Sequence, residues 1–89
     1  MPESPKAKFP SDFWSWLQQH PDEAVHALIR ITAFSPEIEL AVRNAACRVH
    51  RRIHLIPTLA VACRSGALMQ LAAEPWVLRI EPDQSVRAL

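Results

Sequence analysis

Apolar and polar positions alternate between Val25 and Ala33. Val25, Ala27, Ile29, Ile31 and Ala33 fall on one side, and His26, Leu28, Arg30 and Thr32 on the other. A period of two over this length predicts a strand with one face in the core. Ser35-Pro36-Glu37 then reads as a helix start: a capping hydroxyl, a proline in the first turn and an acid near the positive end of the dipole. Ile38, Val42, Ala45 and Val49 follow at spacings of three and four, but no glycine marks the helix end.

From about Val49 the period returns to two. Val49, Ile53 and Leu55 share a side with Arg51, and His50, Arg52 and His54 take the other. Pro57-Thr58 reads as a turn, after which Leu59, Val61 and Cys63 alternate with Ala60, Ala62 and Arg64. Two strands this close in sequence predict an antiparallel hairpin. Ser65-Gly66 opens a second helix with Leu68, Leu71 and Ala72 inward, and Glu74-Pro75 ends it. A fourth strand, Val77 to Ile80, is expected to turn Leu78 and Ile80 inward.

The order strand, helix, strand, strand, helix, strand, joined by right-handed crossovers, predicts an α+β ferredoxin-like plait: a four-stranded antiparallel sheet with both helices on one face. The helix-free face is then expected to carry Leu28, Arg30, Thr32, His50, Arg52, His54, Ala60, Ala62, Val77 and Arg79. Ahead of the plait, Ser11-Asp12 precede Phe13-Trp14-Ser15-Trp16-Leu17 and Pro21 stops the run. This predicts a short helix over about residues 11–20, with Phe13, Trp16 and Leu17 on one face. Three segments are therefore expected: an extension over 1–24, the plait over 25–83 and a tail over 84–89.

Composition narrows the function. Eighty-nine residues make one domain, and a chain this short buries roughly 60–65% of its unfolded surface. The net charge of +1 gives no field for nucleic acid or an anionic membrane, and the longest apolar runs fall far short of a bilayer. Eight of the ten basic residues are arginine, the cation enriched at protein contacts. The run Arg48-Val49-His50-Arg51-Arg52-Ile53-His54 lacks the interleaved aromatics of a nucleic-acid surface. His50 and His54 have no carboxylate or thiol fixed beside them by sequence, so neither a metal nor another cofactor is expected. Cys47 and Cys63 read as reduced, packed thiols, and MPESPKAKFP lacks the apolar core of a signal peptide, which together predict a cytoplasmic location. One glycine, Gly66, excludes phosphate-cradling loops, and the Phe34-Ser35-Pro36 loop has neither the glycine nor the arginine of the acylphosphatases that share this topology. No enzymatic activity is expected.

The last part of the chain carries a resemblance. A helix closed by Glu74-Pro75, an apolar strand Val77-Leu78-Arg79-Ile80, an acidic turn Glu81-Pro82-Asp83 and a short tail ending in Val86-Arg87-Ala88-Leu89 are similar to the propeptide of subtilisin-like serine proteases and their free-standing inhibitor relatives. The likeness covers about residues 25–89. It departs from the family at Ala46-Cys47, where glycine is common, at Pro82, and over residues 1–24. It implies a separate inhibitor, or a folding helper acting in trans, of a subtilisin-like protease, and a neighbouring gene for such a protease without its own prodomain is the observation that would support it.

In that picture the tail lies product-like in the protease cleft. Leu89 fills the primary specificity pocket, Val86 a second apolar pocket, Ala88 sits near the catalytic histidine and Arg87 points to solvent. Glu81 and Asp83 cap two helices of the enzyme. The open sheet face, through Arg30, Thr32, Arg52, His54, Ala60, Ala62, Val77 and Arg79, rests on those helices. The alternative is a plait-type interaction or regulatory module with another partner, which would not depend on the tail.

Overall fold

The structure is a computed structural model, and it describes residues 4–83. The tail Val86-Arg87-Ala88-Leu89 lies outside the described residues. The elements are a 3-10 turn over Pro5–Lys8, α1 (Ser11–Gln19), β1 (Ala24–Ile31), α2 (Pro36–Asn44), β2 (Arg48–Ile53), β3 (Thr58–Arg64), α3 (Ser65–Leu71) and β4 (Val77–Pro82). The strands form one antiparallel sheet in the order β2-β3-β1-β4. This is the ferredoxin-like plait, with one helix added in front.

Local chemistry sets the boundaries. Ser35 Oγ accepts the Ile38 N–H at 3.1 Å, and Pro36 occupies the first turn, so α2 starts where its orphan donors are satisfied. Its end is a Schellman turn. The Cys47 N–H reaches the Val42 carbonyl, the Ala46 N–H reaches Arg43, and Ala46 takes the left-handed conformation at φ 63°. An alanine thus stands where glycine is the usual solution. α1 has no side-chain cap, although Ser11-Asp12 at its start is a capping sequence: the cap position is Pro10, and Asp12 Oδ1 accepts the adjacent Phe13 N–H.

The core lies between the sheet and the helices. Ala27, Ile29 and Ile31 of β1 and Leu59, Val61 and Cys63 of β3 meet Ile38 and Val42 of α2 and Leu68 and Leu71 of α3. The extension belongs to this core. Phe13 and Leu17 of α1 are buried, α1 packs beside α3, and Phe9 lays its ring against Phe13 and Trp14 at centroid distances of 6.0 and 5.0 Å. Full burial of each such side chain is worth roughly 1.5–3 kcal/mol. Lys8 Nζ donates to the Glu74 carbonyl at 3.0 Å, pinning the lead-in to the segment before β4. Trp16, expected on the inward face, is 38% exposed and stacks on His20 instead.

Two departures from strict alternation change which side chains face where. In β2, Val49 pairs with Val61 and Arg51 with Ala60, so His50 is an extra residue. In β4, Arg79 pairs with Arg30 and Val77 with Ile31, so Leu78 is extra. Each bulge reverses the parity beyond it. Val77 is consequently core, 1% exposed, and Leu78 is 47% exposed, the reverse of the expected assignment. β2 also ends at Ile53, which leaves Leu55 in the hairpin turn at 95% exposure and not in the core.

Candidate functional site

The sheet has one face without a helix. Strand register assigns to it His26, Leu28 and Arg30 of β1, Thr58, Ala60 and Ala62 of β3, and Arg79 and Glu81 of β4. β2 contributes Arg48 opposite Ala62, then His50 and Arg51 at the bulge, then Ile53 opposite Thr58. The surface is therefore cationic along β2 and has an apolar hollow toward the hairpin end. That hollow, of about 190 Å³, is lined by apolar Leu28, Ile53, Leu55 and Ile56 and by Arg30 and Arg79 among its charged groups.

Of the expected contact residues on this face, Arg30, Ala60, Ala62 and Arg79 are there. The other four are not. Arg52 lies beyond the bulge, opposite Leu59, and turns to the helix side. There its Nε donates to Glu39 Oε2 of α2 at 2.7 Å. The guanidinium holds the Glu39 carboxyl below its ordinary pKa, and the same pairing holds Arg52 above its own. Val77 is in the core for the reason given above. Thr32 follows the last residue of β1 and donates its N–H to the Trp76 carbonyl. His54 follows β2 and places its ring 4.9 Å from that of Phe34.

Two histidines that alternation puts on this side of the sheet meet there. His26 and His50 stack across β1 and β2 with centroids 5.2 Å apart and rings inclined by 21°. His26 Nδ1 is buried without a hydrogen-bond partner. Arg51 and Ile53 join the face because one inserted residue shifts the period, which no propensity signal at His50 announces, and Thr58 joins it as the first residue of β3. Leu55 reads as a strand residue, yet with Ile56 it presents a bare apolar tip, 95% and 48% exposed.

At the other edge β4 leads toward the tail. Glu81 stands opposite Leu28 on the open face and accepts from Arg79 Nε at 2.8 Å. The ladder continues one residue past Pro82, because the Asp83 N–H donates to the His26 carbonyl at 3.0 Å. The two acidic residues of the turn thus differ. Glu81 is half-exposed on the surface a partner would meet, whereas Asp83 is 6% exposed and already engaged within the chain. For Asp83 to cap a helix of another protein it would first have to leave this position.

Among the described residues no cluster of three or more His, Cys, Asp or Glu side chains could hold a metal, and no helix is long and apolar enough to cross a membrane. Both cysteines are buried and unbridged. The chain matches no protein-family model and no curated protein.

Proposed function

We propose that this protein is a propeptide-like inhibitor, and a trans-acting folding helper, of a subtilisin-like serine protease. One observation carries the reading: β4 runs along the edge of a helix-free sheet face, keeps its pairing through Asp83, and there gives way to the apolar tail. The folded domain thereby fixes the point from which residues 84–89 continue, beside a surface able to rest on a partner. Extended chain adds to an enzyme as a strand, with alternate side chains entering pockets. Val86 and Leu89 supply the apolar groups for two such pockets, with Arg87 outward and Ala88 in the confined position between them. Glu81, on the open face, is the carboxylate placed to meet a helix N-terminus, where free N–H groups and the dipole attract negative charge. Arg30, Arg51 and Arg79, with the exposed Leu55–Ile56 tip, give the rest of the face its grip.

Inhibition in this scheme requires no chemistry from the chain. The tail fills the cleft, and pre-ordering of its root lowers the entropy lost on binding. Because the complex forms only with native protease, the same contacts stabilise that native state, the basis of the folding role.

Residual activity of a subtilisin-like protease toward a chromogenic peptide, titrated with the full chain, with a chain ending at Asp83 and with Leu89→Asp, tests the proposal. The full chain is expected to inhibit. The shortened chain and Leu89→Asp, which drives an unpaired charge into an apolar pocket, are expected to lose most of that inhibition while keeping the same melting curve. Equal inhibition by the shortened chain overturns the mechanism. Retained binding without inhibition would leave the alternative, an interaction module that uses its arginine-bearing face for another partner.

A further inference from the structure

Cys47 and Cys63 have no part in the docking face. Cys63 lies on the core side of β3 at 6% exposure, and Cys47 directly precedes β2 at 3%. The register Arg48↔Ala62 and Val49↔Val61, extended back by one residue, sets Cys47 opposite Cys63. The Cys47 thiol donates to the Ala45 carbonyl at 3.9 Å, and the two thiols are close enough to perturb each other's ionisation. Residues facing each other on antiparallel strands have Cα separations of roughly 4.5–5.5 Å, inside the range that a disulfide spans.

The two sulfurs are not equivalent. The Cys63 S–H hydrogen bond favours the thiolate at Cys47 and lowers its pKa, while that same interaction together with burial pushes the Cys63 thiol up. Both side chains are nearly covered, at 3% and 6% exposure, but only Cys47 borders a cleft. Cys47 lines a cleft of about 430 Å³ whose other walls are Glu39, Arg43, Ala46, Arg48, Val49 and Arg52. Glu39 pairs with Arg52 and lies within electrostatic reach of Arg43, so one carboxylate faces three arginines, Arg43, Arg48 and Arg52, and the walls are net cationic. A thiol at the end of such a cleft is suited to a reagent carrying negative charge.

We propose that Cys47 and Cys63 are a redox-modified pair, in which Cys47 exchanges with a small anionic disulfide of the glutathione class and Cys63 resolves the adduct into an intramolecular disulfide. In the first step the Cys47 thiolate attacks one sulfur of the small disulfide. The mixed disulfide forms, and the other half leaves as a thiolate that takes up a proton from water. In the second step Cys63, no longer hydrogen-bonded to a thiolate, gives up its proton and attacks the Cys47 sulfur. The Cys47–Cys63 bond forms and the second small thiol leaves, protonated in turn. The protein dithiol loses two electrons and two protons, and one small disulfide becomes two thiols. This pair is separate from the docking face and does not depend on the protease reading.

The test treats the full chain with oxidised glutathione and follows free thiols and intact mass. The expected product is a protein lacking two thiol hydrogens, with no retained glutathione. Cys63→Ala should stop at a stable mixed disulfide on Cys47, and Cys47→Ala should form neither product. The neutral disulfide of 2-mercaptoethanol, run beside glutathione, should lose less rate when Arg43 and Arg48 are both replaced by alanine. For glutathione the double replacement should slow exchange roughly threefold or more, because the field that gathers the anion is removed. A wild-type chain that stops at the mixed disulfide, a Cys47→Ala variant that is modified as readily as Cys63→Ala, or an equal loss of rate for the neutral and anionic reagents would each overturn the proposal. If alanine at Cys63 prevents folding, Cys63→Ser provides the same trap.

Discussion

β1 and β3 run side by side through the middle of the sheet for seven consecutive pairs without a break, whereas β2 and β4, at the two edges, each carry an inserted residue. The difference follows from neighbours. A strand paired on both sides cannot accept an extra residue without disturbing two ladders, while an edge strand disturbs only one. The edges can therefore re-aim side chains. At His50 the insertion sends Arg52 to Glu39 on the helix side and leaves Arg51 on the open face. At Leu78 it returns Val77 to the core and keeps Arg79 beside Arg30. An edge that bulges is also a poorer template for unwanted pairing with another chain.

Two adjacent residues in β4 give the largest test of this contrast. Val77→Asp should cost about 3 kcal/mol or more, because a carboxylate without a partner replaces a buried side chain. Leu78→Asp should stay within about 0.5 kcal/mol, as expected for a surface substitution. Urea denaturation of the two variants decides it, and the reverse order would restore simple alternation in β4.

The sequence made the central strands readable because their pattern is undisturbed. Ala27, Ile29, Ile31, Leu59, Val61 and Cys63 all face the core as their spacing requires. The helices were readable through Ser35, Pro36 and the inward residues of α2 and α3. What could not be read was the parity of β2 and β4 past their insertions, and it accounts for the displaced assignments of Arg52, Val77 and Leu78. Thr32, His54 and Leu55 moved for a different reason: β1 and β2 stop sooner than their alternation does. The packing of α1 against α3 follows the expectation for Phe13 and Leu17, with Trp16 turned outward.

A second test compares apolar residues in the two regions. Ile29, fully buried in central β1, should lose about 2–5 kcal/mol on replacement by alanine. Ile53, at the open end of edge strand β2, is only partly covered, and Ile53→Ala should cost less than half as much in the same denaturation experiment. Equal losses would mean that the edge is packed as tightly as the centre.

The approach to β2 offers a gain. Ala46 holds φ 63°, a conformation that costs a residue with a Cβ roughly 1–2 kcal/mol relative to its right-handed alternative. Ala46→Gly removes that strain and gives back part of the benefit as unfolded-state entropy, for a net stabilisation of roughly 0.5–1 kcal/mol. A rise in the thermal midpoint checks this, and a fall would show that the turn needs the methyl group.

The smallest effect concerns the ion pair that the β2 bulge creates. The carboxyl of Glu39 is held below its ordinary pKa by Arg52, so the pair stabilises the fold above the unfolded-state pKa. That contribution is lost as pH falls through the lower, folded value. Because the pair lies at the surface, with the Arg52 side chain 49% and the Glu39 side chain 20% exposed, the effect is small and screened by salt. Melting curves of the parent chain and Arg52→Ala should differ slightly near neutral pH and converge in acid. A constant difference across that range would mean that Arg52 acts through packing alone.

The pairing of β1 with β4 joins the first strand to the last, with Ala27 opposite Pro82, while β2 and β3 are joined by a short turn. Local pairings close quickly, and pairings between distant segments must first overcome the entropy of bringing them together. The hairpin is thus set to form early, and β1 waits with one edge open until β4 arrives. During synthesis that wait lasts until the final strand has cleared the ribosome. The segment attached to β4 gains a fixed root in the same event that completes the sheet.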